Sequence, residues 1–214
     1  MEALDAQGKQ DRLSRDDWIK TGLSMLMDNG VDAVQITVLA RKLGVTRGSF
    51  YWHFDSRDAL LEALIGYWKQ QNTNVMVDAV AGAESLDDGI LALFSVWVDH
   101  NRFDPQLDQA VRDWSRRDTQ LSKVIEKEDT ARIEAIAAFY ERFEYTQTEA
   151  FIRARVIYFT QMSYYALDIS HKETMEQRMS YLDAYFRCFT GFDLQPGTAD
   201  RFRRMLLDRE QTDE

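Results

Sequence analysis

The sequence is poor in cysteine, proline and histidine, and each shortage excludes a class of protein. Cys188 is the one cysteine among 214 residues, so no internal disulfide can form and a reducing cytoplasmic location is expected. Two prolines, together with the lack of alternating apolar and polar runs, predict an all-α fold. The three histidines, at positions 53, 100 and 171, are far apart along the chain, and we predict no metal site.

Long apolar runs and catalytic motifs are also missing. No window approaches eighteen uninterrupted apolar residues, so no membrane span is expected. The first ten residues, MEALDAQGKQ, lack the layout of a signal peptide. The chain has no nucleophile elbow, phosphate-binding loop or metalloprotease helix, and Asp168-x-x-His171 has no second pair to complete a di-iron bundle. We therefore predict that the protein is not an enzyme and uses no cofactor.

What the sequence does contain is a helix-turn-helix pattern between residues 31 and 60. A first helix is predicted over residues 36–43, where one apolar stripe recurs at spacings of three and four: Ile36, Leu39, Ala40 and Leu43. Gly44 is expected to end it in the left-handed conformation. Thr46 is expected to cap a short second helix over residues 47–53 by accepting from the amides of Gly48 or Ser49. In such a motif the second helix enters the DNA major groove.

The composition of the second helix favours DNA contact. Arg47, Gly48 and Ser49 occupy its first turn, where free amides favour phosphate. Phe50 and Phe54 share the face that packs inward. The rings between them then spread towards the opposite side.

The segment GVTRGSFYWHF, residues 44–54, resembles the TetR family of transcriptional repressors, whose pattern is G-V-[ST]-x-G-x-[FL]-Y-x-[HY]-F. Arg57 stands where the family usually has lysine, and Gln35 where it often has a capping Thr or Ser. The resemblance covers residues 12–68. It implies that the following residues bind DNA: Thr46, Arg47, Gly48, Ser49, Tyr51, Trp52, His53 and Arg57. For Trp52, partial core packing is the alternative.

The charge distribution agrees with a localised DNA contact. The chain carries a formal net charge of −10. Between residues 36 and 57, however, four basic residues accompany one acid, Asp55. A basic face on an acidic body suppresses non-specific binding while one surface still meets phosphate. The charged stretch from Glu126 to Asp129 is expected to be a solvated face.

We expect four segments along the chain. Residues 1–12 form a flexible tail, 13–57 the DNA-binding domain, 58–207 a helical regulatory and dimerisation domain, and 208–214 a polar tail. A helix that opens at Arg57 is expected to continue to about Val80, and it carries apolar residues at helical spacing in its first part: Leu60, Leu61, Leu64, Ile65 and Trp68. The resemblance implies that this helix links the two domains.

The second domain offers candidates for a ligand pocket and for a dimer interface. Aromatic residues that would line a pocket, with ordinary core packing as the alternative, are Phe94, Trp97, Phe103, Trp114, Tyr158 and Tyr164. A helix over residues 172–189 carries a heptad seam proposed as the dimer interface: Met175, Met179, Leu182, Phe186 and Phe189. A second apolar stripe on the same helix (Tyr181, Tyr185, Cys188) leaves open which stripe faces the partner.

Together these features predict a homodimeric transcriptional regulator, a repressor in most proteins that it resembles. It would bind a palindromic DNA operator and be released by a small apolar or aromatic effector. Two alternatives remain open at this stage: a helical-bundle enzyme or small-molecule carrier with a vestigial DNA-binding domain, and a regulator or activator that responds to a partner protein.

Overall fold

The computed structural model describes residues 13–210, and within that range it is all-helical, with no β-strand. The expected amino-terminal tail and residues 211–214 of the polar tail lie outside the described residues. None of the described helices is long and apolar enough to cross a membrane. The predicted fold class is confirmed.

Twelve α-helices are described. Their bounds are α1 Arg15–Asn29, α2 Ile36–Lys42, α3 Arg47–Phe50, α4 Arg57–Trp68, α5 Val75–Ala81, α6 Leu86–Val98, α7 Pro105–Ser115, α8 Thr119–Glu141, α9 Gln147–Ala166, α10 Met175–Ser180, α11 Leu182–Thr190 and α12 Thr198–Glu210.

The amino-terminal helices pack around one apolar core. Ser14 and Asp17 form a reciprocal capping box at the start of α1, and Gly30, at a φ of 77°, ends the helix. Trp18 of α1 meets Phe50 of α3 edge to face, with the ring centroids 5.2 Å apart. α4 adds four buried residues to this core, so the core extends beyond residue 57, where the sequence suggested a domain boundary: Leu60, Leu61, Leu64 and Trp68.

The second helix of the helix-turn-helix is shorter than predicted. α3 ends at Phe50, and residues 51–53 continue as turns closed by the bond from the His53 amide to the Phe50 carbonyl, 2.9 Å long. The expected cap is absent as well: the Thr46 side chain accepts no capping hydrogen bond, and only its carbonyl receives the Ser49 amide. A four-residue helix holds its geometry through packing rather than through its caps, because Phe50 and Phe54 are buried beneath it.

The link between the two halves is helical throughout but not uniformly α-helical. Between α4 and α5, residues Lys69–Asn74 form a π turn, and the residues at both of its ends keep helical backbone angles. The wider turn buries Asn72 and Thr73. Asn72 donates to the Asp104 carbonyl over 2.7 Å, which ties the turn to the residue that precedes α7. The rod is therefore as long as predicted, but it has a hydrogen-bonded irregularity at its centre.

The second half packs mainly around the antiparallel pair α8 and α9, with α5 and α6 against α8. α6 approaches α8 most closely at Gly89. A Cβ added there would lie 2.1 Å from Cε2 of Phe139, a ring that is itself fully buried. The predicted helix over residues 172–189 is in fact two helices, since α10 ends at Ser180 and α11 begins at Leu182.

We expect Gly89→Ala to destabilise the protein by about 1–3 kcal/mol, because the buried Phe139 ring must leave its rotamer or push α6 away. Urea unfolding followed by circular dichroism measures the change. The matched control is Gly66→Ala in the middle of α4, where a Cβ meets nothing within 4 Å and helix propensity should add stability of up to about 1 kcal/mol. Equal stability of the Gly89→Ala variant and the wild type would contradict the close approach.

Candidate DNA interface and ligand cavity

The surface of α3 and the turn after it presents the predicted DNA-contacting side chains to solvent. Thr46, Arg47 and Gly48 are exposed, and Ser49 is half-buried. Because the Thr46 hydroxyl is not used as a cap, it remains free to bind an external group. Gly48 has room beside it, since a Cβ added there would have the Thr46 hydroxyl as its nearest neighbour, 3.5 Å away. These four residues lie together at the amino end of the short helix.

The aromatic run that follows separates into two buried and two exposed rings. Phe50 and Phe54 stack at 5.5 Å between centroids in the core, as predicted. Tyr51 is half exposed and Trp52 is 86% exposed, so core packing is excluded for Trp52. His53 is half-buried, with its ring tilted against Trp18 at 6.4 Å. An indole that is almost fully in water at this position is an unusual exposure of apolar surface.

The Arg57 side chain has partners within the fold that the sequence did not predict. Its Nε donates to the Val34 carbonyl at 2.6 Å, and one Nη donates to the Val31 carbonyl at 2.7 Å. The guanidinium thus holds the turn between α1 and α2 against the start of α4. These two hydrogen bonds give Arg57 a positioning role in the helix-turn-helix. The side chain is half-buried and keeps further N–H groups, so its contact with phosphate stays a prediction.

The second half of the molecule contains a narrow cavity between α6, α9, α10 and α11. Its volume is only about 40 Å³, counted as the space open to the centres of water-sized molecules. Three of the aromatic candidates from the sequence line it, namely Phe94, Trp97 and Tyr164. Further lining residues escaped the sequence analysis: Gln161, Glu173, Arg178, Tyr181 and Tyr185. The available signal was the amide of Gln161 among the aromatic and apolar residues in the second half of α9.

The other three aromatic candidates lie elsewhere. Phe103 is fully buried and stacks on Tyr165 at 5.4 Å between centroids. Trp114 packs against the amino-terminal core, beside the cleft between α1 and α7. Tyr158 belongs to a buried hydrogen-bonded network. Their placement corrects the expectation that these three line the pocket, and core packing accounts for each of them.

That network, which we call the junction network, comprises Trp68, Thr73, Asp108, Arg112, Asp129, Arg132 and Tyr158. Arg132 has no exposed side-chain surface; it donates to Asp108 from both terminal nitrogens at 3.2 and 3.3 Å, and to Thr73 at 3.0 Å. The Trp68 indole donates to Asp108 at 2.8 Å. The network therefore ties α4 and the π turn to α7 and α8.

Arg112 and Tyr158 complete the junction network on its outer side. Arg112 donates to Asp129 from both terminal nitrogens at 2.9 and 2.7 Å, and its Nε donates to Asp108 at 2.7 Å. The Tyr158 hydroxyl donates to Asp129 at 2.6 Å. The stretch from Glu126 to Asp129 is thus not simply a solvated face, since Asp129 is paired here and Glu128 binds Lys69 of the π turn at 2.8 Å.

The carboxyl of Asp108 stays charged despite its burial. Burial alone would raise its pKa, but the guanidinium groups of Arg132 and Arg112 and the hydrogen bonds from Arg112 and Trp68 together hold the pKa below its ordinary value. A depressed folded-state pKa contributes stability above the unfolded-state pKa near 3.9 and loses it as the pH falls through the folded value. The contribution is therefore fully present at neutral pH.

The stripe proposed for dimerisation faces inward. Met179, Leu182, Phe186 and Phe189 are each at most 5% exposed and pack within the protomer's own cores. This corrects the expectation that they form the interface. The exposed apolar face lies instead on α9, with side chains between 43% and 50% exposed: Phe151, Ile152, Val156 and Phe159.

The fold and these surfaces define a class, an all-helical protein with an amino-terminal helix-turn-helix domain. The model of the family described as bacterial regulatory proteins, tetR family, matches residues 19–64. The likeness to this family therefore lies in the amino-terminal part of the chain, from α1 to α4.

Relatives show the same likeness. The class D tetracycline repressor protein of Escherichia coli is 40% identical over 53 residues, which are 25% of this chain and 24% of that protein. YerO of Bacillus subtilis (strain 168), an HTH-type transcriptional regulator, is 33% identical over 91 residues, or 40% and 32% of the two chains. The matches to these two relatives thus span only about a quarter to a third of the relatives' length, the part that contains the helix-turn-helix.

Solved structures extend the likeness in fold to most of the chain. A transcriptional regulator from Rhodococcus sp. Rha1 has a TM-score of 0.56 and 15% identity, over 92% of this chain and 97% of that one. The fatty acid degradation regulator FadR from Bacillus halodurans has a TM-score of 0.60 and 14% identity, over 86% and 96%. At these identities the comparisons establish the fold of the second half and leave its ligand open.

We expect Asp108→Asn to destabilise the protein by about 3–5 kcal/mol at pH 7, because Arg132 would remain buried without its full counter-charge. Urea unfolding measures the loss. Asp113→Asn is the matched control, since Asp113 pairs with Arg116 on the surface and both side chains are mostly exposed. The difference in the free energy of unfolding between the wild type and Asp108→Asn should become smaller below about pH 4, as the wild-type carboxyl takes up its proton. A difference that stays constant with pH would contradict the assignment.

Proposed function

We propose that the protein is a DNA-binding transcriptional regulator, a repressor released by a small-molecule effector. The observation that carries this proposal is the exposed group of Thr46, Arg47 and Gly48 at the amino end of α3, followed by the exposed rings of Tyr51 and Trp52. The relatives that share this domain are named as repressors and transcriptional regulators, which supports the same function.

In this proposal the side chains around α3 divide into two roles. Thr46, Gly48 and Ser49 bring the backbone amides of the helix start against a phosphate, where the positive end of the helix dipole also favours an anion. Arg47 projects from the same turn and is the candidate for a base-edge contact, which specifies sequence. Tyr51, Trp52 and His53 contact the sugar-phosphate backbone and set the orientation of the helix. The partner is double-stranded DNA.

We propose further that the protein acts as a homodimer through α9. Phe151, Ile152, Val156 and Phe159 form a continuous face because residues three and four apart lie on one side of a helix. Arg155 covers two of these rings, with its guanidinium carbon 5.5 and 5.3 Å from the ring centroids of Phe151 and Phe159. A self-complementary apolar face with a basic rim fits a two-fold interface, and two-fold symmetry fits a palindromic operator.

The route from effector to DNA in this proposal is the rod formed by α4, the π turn and α5. Its first residue, Arg57, fixes the helix-turn-helix. Its centre is held by the junction network, and its far end packs against α6 and α8. An effector that separates α6 from α9 would shift this rod and change the spacing of the two recognition helices. The coupling must be reciprocal, so operator DNA weakens effector binding by the same factor.

DNA binding is tested by Arg47→Ala and Tyr51→Ala in fluorescence anisotropy titrations with operator and with scrambled duplexes. We expect Tyr51→Ala to weaken binding to both duplexes alike, and Arg47→Ala also to reduce the preference for operator, at a cost of about 1–3 kcal/mol on the operator. With about eight phosphate contacts per dimer, the logarithm of affinity should fall with the logarithm of salt concentration at a slope of roughly −7.

Arg116→Ala provides the control for this experiment, since Arg116 is a largely exposed arginine on the second half of the molecule. Its affinity for both duplexes should equal that of the wild type. Binding that is insensitive to salt, or a loss in Arg116→Ala as large as that in Arg47→Ala, would rule out the proposed face.

Dimerisation through α9 is tested with Val156→Asp, which places a carboxylate at the centre of the exposed face. We expect sedimentation velocity to show a monomer with unchanged helicity, because a buried unpaired charge costs several kcal/mol at an interface. Operator affinity should fall with dissociation. Tyr67→Asp is the control, as Tyr67 is similarly exposed on α4 but lies off this face. A Val156→Asp variant that remains dimeric would place the interface elsewhere.

A further inference from the structure

Two side chains that line the cavity between α6, α9, α10 and α11 carry hydrogen-bond donors with no well-formed hydrogen bond to the described residues. The indole nitrogen of Trp97 and the amide nitrogen of Gln161 are both buried and lack a well-placed acceptor within the described part of the chain. Both side chains line the cavity, and both are at least nine-tenths buried. A buried donor without an acceptor costs free energy, so each is a place where a ligand oxygen would bring a gain.

The Gln161 amide has one polar neighbour, the Tyr165 hydroxyl. That hydroxyl donates its proton to the Trp97 carbonyl at 2.8 Å, and its oxygen can still accept from the Gln161 amide. The approach falls short of good hydrogen-bond geometry, so the Gln161 N–H is only weakly satisfied. The carbonyl of Trp97 is therefore occupied, whereas its indole N–H is not.

A third donor, the guanidinium of Arg178, lies on the same cavity wall. It forms no ion pair with any carboxylate of the described residues, and its carbon sits 5.1 Å from the centroid of the Tyr164 ring. The nearby acid, Glu173, also lines the cavity but already accepts the Tyr164 hydroxyl. The wall thus offers two neutral donors and one cationic donor, and its carboxylate is already hydrogen-bonded.

The remaining residues that line the cavity determine which shape of ligand fits into it. Phe94, Tyr185 and Phe189 form a group of rings whose centroids lie 5.6 to 6.5 Å apart. Because the space between them is confined to narrow clefts, a planar ring system can enter by parting the rings slightly, whereas a branched molecule must displace them. Met179 lies in the same wall and can adjust, since its side chain is flexible.

We infer that this cavity binds a flat, aromatic-sized ligand that carries a carboxylate or ketone oxygen, held by the Trp97 indole N–H and the Gln161 amide, with Arg178 favouring the carboxylate. This inference rests on the proposed ligand-responsive function and defines the chemical class of its effector. In this inference the ligand oxygen accepts from the unsatisfied Trp97 indole and the weakly satisfied Gln161 amide, while the ring fills the cleft. A purely apolar molecule of the same shape gains the ring contacts but none of the hydrogen bonds.

Three probes separate these contributions: 1-naphthoate, 1-acetonaphthone and 1-ethylnaphthalene, which share one ring system and differ in the oxygen. Isothermal titration calorimetry on the full chain, without DNA, should give an affinity for 1-naphthoate and 1-acetonaphthone at least about tenfold above that for 1-ethylnaphthalene. Tighter binding of the carboxylate than of the ketone would show the part played by Arg178. Equal affinities for all three probes, or binding of none, would overturn the inference.

Two variants test the donors directly. Trp97→Phe and Gln161→Leu keep apolar bulk but remove the N–H groups, and each should weaken 1-naphthoate binding about tenfold while leaving 1-ethylnaphthalene within about threefold. Circular dichroism confirms that each variant is folded. If both variants bind 1-naphthoate as the wild type does, the donors do not recognise the oxygen and the inference fails.

The five indole N–H signals in a ¹H–¹⁵N spectrum supply a readout that is independent of affinity. On addition of 1-naphthoate the Trp97 signal, identified by its absence in Trp97→Phe, should move downfield. Trp68, which already donates to Asp108, and Trp18, which lacks an acceptor but lies in the amino-terminal core, should stay in place. A shift at Trp18 but not at Trp97 would place the ligand elsewhere. Operator binding is measured separately, so failure here leaves the DNA-binding function intact.

Discussion

The buried pair of Arg132 and Asp108 is the interaction on which the arrangement of the two halves depends. An arginine with no exposed surface is tolerated only where its charge and its N–H groups are matched, and here Asp108, Thr73 and Tyr158 match them. Those partners lie on α7, on α9 and in the π turn, whereas Arg132 itself lies on α8. A displacement of any one helix would leave a charge or a donor unsatisfied, so the network allows few relative positions of α4, α7, α8 and α9.

This constraint provides a physical route by which a displacement in one half of the chain reaches the other half. Apolar contacts slide at small cost, whereas a charged network of fixed geometry changes in discrete steps. Trp68 lies at the last residue of α4, and its indole is bonded into the network, so the rod cannot rotate without losing that bond. The cavity and the junction network both border α9, since Gln161 of that helix lines the cavity and Tyr158 belongs to the network. One helix therefore touches both.

Local sequence signals predicted local structure well and long-range partners poorly. The left-handed Gly44 and the inward-facing Phe50 and Phe54 follow from spacing and side-chain chemistry, and the structure confirms them. Arg57 could not be assigned, because an arginine that binds carbonyls is indistinguishable in sequence from one that binds phosphate. The junction network was equally hidden, since its members are separated by dozens of residues. Two apolar stripes on α10 and α11 gave no indication of which one the protomer itself would bury.

The π turn between Lys69 and Asn74 also determines the angular relation of the two ends of the rod. Each residue of an α-helix advances the chain by about 100°, so a turn that takes in one extra residue rotates everything beyond it by roughly that angle. Arg57 and α5 therefore face directions that an uninterrupted helix of equal length would not give them. If the same residues formed a regular α-helix, α3 would face a different side of the molecule relative to the second half. The π turn thus fixes the angle between the two ends of the rod, and the buried residues Asn72 and Thr73 hold the turn in place.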